Sequence, residues 1–137
     1  MDMAGYSGTP LQKKLGIKAG MQISDLHIPP AYWDLISPLP DGVQVIEAPK
    51  KGTIDFVHLF TKEKKTFEKE FVRSRELLKK DGMLWISWPK KSSKVVTDLD
   101  ENLIREFGLK NGLVDVKVCA VDEIWSGLKF VYRLKDR

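Results

Sequence analysis

Residues 53–88, TIDFVHLFTKEKKTFEKEFVRSRELLKKDGMLWISW, decide the fold of this 137-residue chain. Two nearly continuous apolar runs, Thr53–Phe60 and Met83–Trp88, flank a charged segment in which Phe67 and Phe71 lie four residues apart. Unbroken apolar runs are typical of strands covered on both faces, and a four-residue spacing is typical of an amphipathic helix. The stretch therefore predicts a β-α-β unit with two parallel strands.

The same signals on either side of this unit predict more strands and helices. The predicted elements are a helix from Pro10, strand Met21–Leu26, a helical turn over Ala31–Ile36, strand Val43–Ile46, helix Lys62–Lys80, a helix over 97–107, and strands Val114–Val121 and Leu128–Leu134. Ser126-Gly127 is predicted to connect the last two strands, which a short turn makes antiparallel. The predicted fold class is α/β: a Rossmann-like, mostly parallel sheet with a C-terminal antiparallel hairpin and helices on both faces.

Several residues are predicted to begin or end these helices. Thr9 and Thr61 are expected to cap the first helix and the long helix, and Asp81-Gly82 to end the long one. Thr97-x-x-Asp100 resembles a capping box, which would start the next helix. Gly108 is expected to mark the end of that helix.

Composition favours one soluble, cytoplasmic domain over residues 1–137, with residues 1–9 as a flexible arm. The chain is 42% hydrophobic and 31% charged, which excludes a disordered protein of low hydrophobicity. Its longest apolar runs are far shorter than the about 20 residues that a bilayer requires, and no signal peptide is visible. One cysteine allows no internal disulfide, and no Cys/His cluster predicts a metal site.

The net charge of +4 is unevenly distributed. Residues 62–94 contain eleven basic and five acidic side chains, whereas residues 95–123 contain three basic and seven acidic ones. A basic block can bind nucleic acid, but here no aromatic side chains alternate with the lysines to stack on bases. We interpret the block as a solvated face, and we do not expect nucleic acid or a membrane to be the partner.

Several stretches of the chain resemble two known families. Leu77–Ser87 is similar to the approach to a central strand in class I S-adenosylmethionine-dependent methyltransferases, and Asp55–Phe60 is similar to the strand before it. A small bacterial family of unknown function is resembled by Ser7–Gly20, Asp55–Phe60, Leu84–Lys91 and Gly112–Phe130, most specifically within Ser87–Lys91 and Val118–Phe130. The resemblance implies a truncated methyltransferase-like fold and no particular activity.

The methyltransferase resemblance also implies a glycine-rich turn after the first strand, where backbone approaches the methyl donor. Here that turn reads His27-Ile28-Pro29-Pro30-Ala31, and no glycine occurs between Met21 and Gly42. Two prolines fix φ and remove two N–H donors. We therefore expect no cofactor, with S-adenosylmethionine as the alternative. Glu47 ends the second strand, where such folds hold ribose hydroxyls with a carboxylate.

In open α/β sheets, ligands bind beyond the carboxyl ends of the parallel strands. This rule gives the candidate ligand-binding residues Trp88, Lys90, Lys91, Asp122, Trp125, His27 and Glu47. We expect Trp88 and Trp125 to stack on the ligand and the two lysines to contact an anion beside a helix start. Asp122 would orient the lysines.

No residue of the chain is predicted to be catalytic. His58 and Cys119 lie within strands and are interpreted as core residues, and neither a nucleophile elbow nor a phosphate-binding loop of the Walker type is present. We predict a module that binds a small anionic or aromatic ligand, or a protein partner, and we lean against an enzyme. The alternatives are an active S-adenosylmethionine-dependent methyltransferase with an atypical cofactor loop, and a nucleic-acid accessory protein.

Overall fold

The computed structural model describes residues 8–137, so most of the expected arm over residues 1–9 lies outside the described residues. The elements are α1 (Leu11–Leu15), β1 (Gln22–Leu26), α2 (Tyr32–Leu35), β2 (Gln44–Val45), β3 (Ile54–Phe60), α3 (Lys64–Leu77), β4 (Leu78–Pro89), α4 (Glu101–Lys110), β5 (Leu113–Ala120) and β6 (Trp125–Tyr132), with short 3-10 turns at Lys91–Ser93 and Leu134–Asp136. No helix within residues 8–137 is long and apolar enough to cross a membrane.

All six strands form one sheet in the order β2-β1-β3-β4-β6-β5. The first four strands are parallel to one another, and β6 runs antiparallel to both β4 and β5. The predicted fold class is confirmed: a mostly parallel sheet ends in an antiparallel hairpin. The carboxyl ends of β1, β2, β3 and β4 therefore lie along the same edge.

Helices cover both faces of this sheet. On one face α3 and α4 bury Phe67, Phe71 and Ile104 against Leu59 and Ile86 of the central strands. On the other face α1 and α2 bury a second cluster, whose largest members are Tyr32, Phe56, Phe60, Trp85 and Leu15. Because both faces are covered, β3 and β4 need apolar side chains in either direction, as their sequences indicated.

The long helix ends earlier than the sequence suggested. It stops at Leu77 rather than at Asp81-Gly82, and β4 begins at once because Leu78 pairs with Ile54 of β3. The register then shifts, so that Phe56 faces Met83. The intervening residues form an irregularity in which backbone of the two strands approaches closely. A Cβ on Gly82 would lie 3.0 Å from the Ile54 carbonyl oxygen.

Ser126-Gly127 is part of a strand, which corrects its prediction as the hairpin connection. Both residues belong to β6, and Gly127 lies opposite Ser87 on one side and Cys119 on the other. A Cβ at this glycine would lie 3.1 Å from the Trp85 ring. The glycine is thus needed for a close approach and not for a turn.

The helix starts also differ from the predicted ones. Helix α1 begins after Pro10 without a side-chain cap, so Thr9 does not cap it. Thr61 does not cap α3: its hydroxyl accepts a hydrogen bond from the N–H of Glu63, the residue immediately before the helix. Asp100 is the residue that caps α4, through a 2.8 Å hydrogen bond from the Leu103 N–H.

Gly108, which was predicted to end α4, lies inside it and is buried. A Cβ there would lie 2.1 Å from a ring carbon of Phe130, a side chain with no solvent exposure. The Phe130 ring also packs edge-on against Phe71 at 5.3 Å, so it has no free space to move into. This glycine is where α4 meets the sheet.

We expect Gly108→Ala to destabilise the protein by roughly 1–3 kcal/mol, the usual cost of overpacking a core. Helix propensity alone predicts the opposite sign, because alanine favours a helix interior over glycine by about 1 kcal/mol. Urea denaturation measures the difference. Leu109→Ala, at an exposed neighbouring position, is the control, and a Gly108→Ala variant as stable as the wild type would contradict this account of the packing.

Candidate functional site

The predicted ligand edge is spread over four strands. His27 follows β1, Glu47 follows β2, and Lys90 follows β4. Because neighbouring strands lie about 4.8 Å apart, β2 and β4 are separated by roughly 14 Å across β1 and β3. The edge therefore has a β1–β2 part, with His27 and Glu47, and a β4 part, with Trp88, Lys90 and Lys91.

The β1–β2 part is exposed and conformationally restricted. His27 is exposed and has a φ of 55°, a left-handed conformation that side chains other than glycine rarely adopt. Pro29 and Pro30 follow it and supply no N–H groups. Glu47 is an exposed carboxylate.

The β4 part contains an open groove of about 450 Å³. It lies between the end of β4 and the start of α4, and it is lined by Trp88, Pro89, Lys91, Lys94, Val95, Val96, Thr97, Asp98, Leu99 and Asp100. Trp88 is only 6% exposed and packs into the core under α3 and α4. It can therefore offer the groove an edge of its indole, whereas Val96, at 91% exposure, forms an apolar lip.

The charged residues around the groove are not equivalent. The Asp98 carboxylate accepts a hydrogen bond from the Lys64 N–H at the start of α3, and Asp100 caps α4, so both acids serve helix N-termini. The lysines are different. None of the ion pairs found within residues 8–137 involves Lys91 or Lys94, the two lysines that line the groove, or Lys90 next to them.

Asp122 and Trp125 lie at the turn between β5 and β6. One Asp122 carboxylate oxygen accepts 2.8 Å hydrogen bonds from the Ile124 and Trp125 N–H groups, which closes the turn between β5 and β6. Among the ion pairs of the described residues, none joins Asp122 to a lysine. Trp125 packs edge-on against Phe60 at 5.1 Å, in the cluster under α1 and α2. Trp88 and Trp125 thus lie on opposite faces of the sheet.

A buried chain of polar side chains crosses the carboxyl half of the sheet. The Tyr32 hydroxyl donates to Asp25 Oδ1 at 2.9 Å and lies 3.1 Å from His58 Nδ1. The other ring nitrogen, His58 Nε2, lies 2.8 Å from Ser87 Oγ. We call these four residues the Asp25 chain. It joins β1, α2, β3 and β4.

Burial governs the protonation of the Asp25 chain. It raises the pKa of Asp25 to about 7, against a smaller lowering by the Tyr32 hydroxyl. It also lowers the pKa of His58 to about 3, so the imidazole is neutral at physiological pH. The pKa of Tyr32 is raised by burial and then by the Asp25 carboxylate. The second carboxylate oxygen, Asp25 Oδ2, is buried without a hydrogen-bond partner.

The prediction that His58 is a hydrogen-bonded core residue is confirmed, and so is the burial of Cys119. No local pattern connected His58 to Asp25, Tyr32 and Ser87. A partial signal was available, because Asp25, His58 and Ser87 are polar residues near the carboxyl ends of three predicted strands. Only the register, with Asp25 opposite His58, brings them together.

Comparisons with known proteins identify the fold. No family model and no curated protein matches the chain. A SAM-dependent methyltransferase from Aquifex aeolicus is 15% identical over 88% of this chain and 86% of its own, with a TM-score of 0.56. A TehB-like SAM-dependent methyltransferase from Corynebacterium glutamicum is 10% identical over 90% and 86%, with a TM-score of 0.56.

A third structure contains a cofactor product. The 1,6-didemethyltoxoflavin-N1-methyltransferase from Burkholderia thailandensis, with bound S-adenosylhomocysteine, is 12% identical over 89% of this chain and 74% of its own, with a TM-score of 0.54. Identities this low indicate a shared fold and nothing more. The protein therefore has the methyltransferase-like α/β fold that its sequence resembled.

The β1–α2 turn lacks two features that a methyl-donor cradle of this fold uses. A donor cradle requires free backbone N–H groups and close backbone approach, which glycine allows. This turn has a histidine at its positive φ and two prolines after it. Asp25 is turned toward Tyr32 in the interior, where burial raises its pKa.

The pKa of Asp25 predicts how stability depends on pH. The folded pKa of about 7 lies above the ordinary value of 3.8, so the folded state binds this proton more tightly than the unfolded state. Stability is therefore lost as pH rises through this interval and levels off above it, at about 1.4 kcal/mol per pKa unit. We expect Asp25→Asn to exceed the wild type in stability at about pH 8 and to approach it near about pH 4.

Urea denaturation across this pH range measures the effect. Asp34→Asn, which changes an exposed carboxylate on α2, is the matched control and should follow the wild-type profile. If Asp25→Asn were no more stable than the wild type at alkaline pH, the assignment of a raised pKa to Asp25 would be wrong.

Proposed function

We propose that this protein binds a small anionic ligand, with a phosphate or carboxylate group beside a planar or apolar part, in the groove at the end of β4. The observation that carries the proposal is the pair of lysines that line this groove, Lys91 and Lys94, which have no ion-pair partner among the described residues, whereas the groove's two acids serve helix N-termini. We infer a binding module rather than a methyltransferase.

The groove suits such a ligand because its positive and negative groups have different roles. Lys91 and Lys94 line it directly, and their ammonium groups would contact the anion. Asp98 is held by the Lys64 N–H, so its carboxylate is directed to the α3 N-terminus. Apolar contact would come from Val96 and from the exposed edge of Trp88.

The other predicted site residues take supporting roles in this proposal. The Lys90 N–H donates to the Ile124 carbonyl at 2.9 Å, which fixes the end of β4 beside the β5–β6 turn. Asp122 would hold that turn in shape, and Trp125 would support it from the opposite face of the sheet. His27 and Glu47 lie too far along the edge for a small ligand in the groove to contact both parts.

Titration calorimetry with inorganic pyrophosphate and with adenosine monophosphate tests the groove. We expect Lys91→Met/Lys94→Met to bind at least tenfold more weakly than the wild type, because each charge-assisted contact to an anion contributes about 1.5–3 kcal/mol. Lys110→Met/Lys135→Met removes the same charge from exposed positions elsewhere and should bind like the wild type. Equal affinity in the wild type and both variants would remove the groove lysines from the proposal.

The second candidate function is an active S-adenosylmethionine-dependent methyltransferase with an atypical donor turn. The fold shared with such enzymes favours it, and so does the position of Glu47 at the end of β2, where a carboxylate can hold ribose hydroxyls. The proline-containing turn argues against it.

Thermal unfolding separates the two candidates. A ligand present at 100 times its Kd adds about 2.7 kcal/mol to the stability of the folded state, which corresponds to a rise in Tm of several degrees. We expect no rise in Tm with millimolar S-adenosylmethionine or S-adenosylhomocysteine. A rise that Glu47→Gln abolishes would establish donor binding and favour the methyltransferase.

A further inference from the structure

The Asp25 chain has two ends and an internal direction. Its hydrogen bonds run through Tyr32 and His58, each of which joins two neighbours and can donate to only one of them at a time. Tyr32, His58 and Ser87 have no solvent exposure, and Asp25 is half-buried with its Oδ2 shielded from solvent. The protonation of one member therefore restricts the hydrogen positions of all the others.

Ionised Asp25 allows only one direction. A carboxylate can only accept, so the Tyr32 hydroxyl must donate to Oδ1 at 2.9 Å. The Tyr32 oxygen then accepts from His58, which places the ring proton on Nδ1. Because His58 is neutral, its Nε2 has no proton and accepts from the Ser87 hydroxyl at 2.8 Å.

Protonated Asp25 allows the opposite direction. Oδ2 is buried without a partner, and an unsatisfied buried O–H is costly. The proton is therefore best placed on Oδ1, where it donates to the Tyr32 oxygen. The Tyr32 hydroxyl must then donate to His58 Nδ1, and the ring proton must lie on Nε2, facing Ser87 Oγ.

We propose that the uptake of one proton by Asp25 reverses every hydrogen bond of the Asp25 chain and moves the His58 ring proton from Nδ1 to Nε2. The added proton comes from water, and no bond between heavy atoms is made or broken. The Ser87 hydroxyl changes from donor to acceptor toward His58, so its own proton must turn away from the ring, and no second acceptor for it is found among the described residues. The Asp25 chain thus has two states, in which the protonation of Asp25 on β1 sets the hydrogen-bond direction at Ser87 on β4, about 10 Å away across β3.

Two members of the Asp25 chain lie next to the elements that form the sheet edge. Tyr32 belongs to α2, which follows the proline-containing turn, and Ser87 immediately precedes Trp88, which lines the groove. The Ser87 carbonyl also accepts a 3.0 Å hydrogen bond from the Thr61 N–H at the end of β3. The inference is independent of the ligand proposed for the groove.

The surroundings contain few charges that could interfere. On α2, Asp34 is exposed, and Glu47 after β2 is exposed as well. On β3, Asp55 is paired with Lys79 at 3.1 Å. The face of β4 toward the chain contributes Trp85 and Ser87, which carry no charge. Burial and Tyr32 are the influences on the pKa of Asp25.

The two states differ in a quantity that nitrogen NMR measures directly. In protein labelled with ¹⁵N histidine, long-range ring correlations distinguish Nδ1–H from Nε2–H. We expect His58 to change from Nδ1–H to Nε2–H as pH falls through about 7, the pKa of Asp25, while the ring stays neutral because its own pKa is about 3. His27, the other histidine, is exposed and is assigned by its loss in His27→Gln.

Two variants test whether the proton of Asp25 is the cause. Asp25→Asn removes the titrating group at nearly constant volume, and Tyr32→Phe removes the link. Each should show one His58 tautomer at every pH. Asp34→Asn should keep the wild-type change. If Tyr32→Phe fails to fold, Asp25→Asn decides the question alone.

The Asp25 carboxyl carbon, followed in protein that also carries ¹³C-labelled aspartate, must titrate with the same midpoint as the His58 change. A single His58 tautomer in the wild type from about pH 5 to about pH 9 would overturn the proposal. So would a change that persists in Asp25→Asn, or a carboxyl midpoint that differs from that of the tautomer.

Discussion

The parallel pairing of β3 with β4 is the constraint on which the rest of the structure depends. Helices cover both sides of this pair, so nearly every side chain from Phe56 to Phe60 and from Leu84 to Pro89 is buried. A strand in that position must be apolar in both directions. The irregularity between the end of α3 and Met83 lies between two paired positions, Ile54 with Leu78 and Phe56 with Met83.

Polar groups inside such a layer must satisfy one another. His58 and Ser87 are completely buried in the central strands, and each would be costly without a hydrogen-bond partner. Their bonds to each other and to Tyr32 resolve this, but the chain ends on a carboxyl group whose second oxygen has no partner. The cost of burying a carboxylate therefore falls on Asp25, and burial raises its pKa to about 7.

The sheet edge divides chemically along its length. Near β1 and β2 the backbone is restricted by two prolines and a histidine with positive φ. Near β4 the acidic side chains are engaged with helix N-termini, whereas the lysines are not paired. The methyltransferase-like fold supplies the frame, and the contrast between the two parts of the edge is the reason that we propose the groove beside α4, and not the first turn, as the position for an anion.

The sequence by itself determined the β-α-β unit, the order of the elements and the closing hairpin, because an apolar run and a four-residue spacing are local properties of the chain. It also placed His27, Glu47, Trp88 and Lys90 at one edge, since the ends of parallel strands coincide. The sequence did not determine that Gly127 lies inside β6 or that Gly108 leaves room for the Phe130 ring. Close approaches between distant segments leave no local pattern. Tertiary structure alone decided that Trp88 and Trp125 lie on opposite faces, and that Asp25, Tyr32, His58 and Ser87 meet. Those outcomes depend on the register between strands, which is set by the packing of both faces at once and not by any single segment.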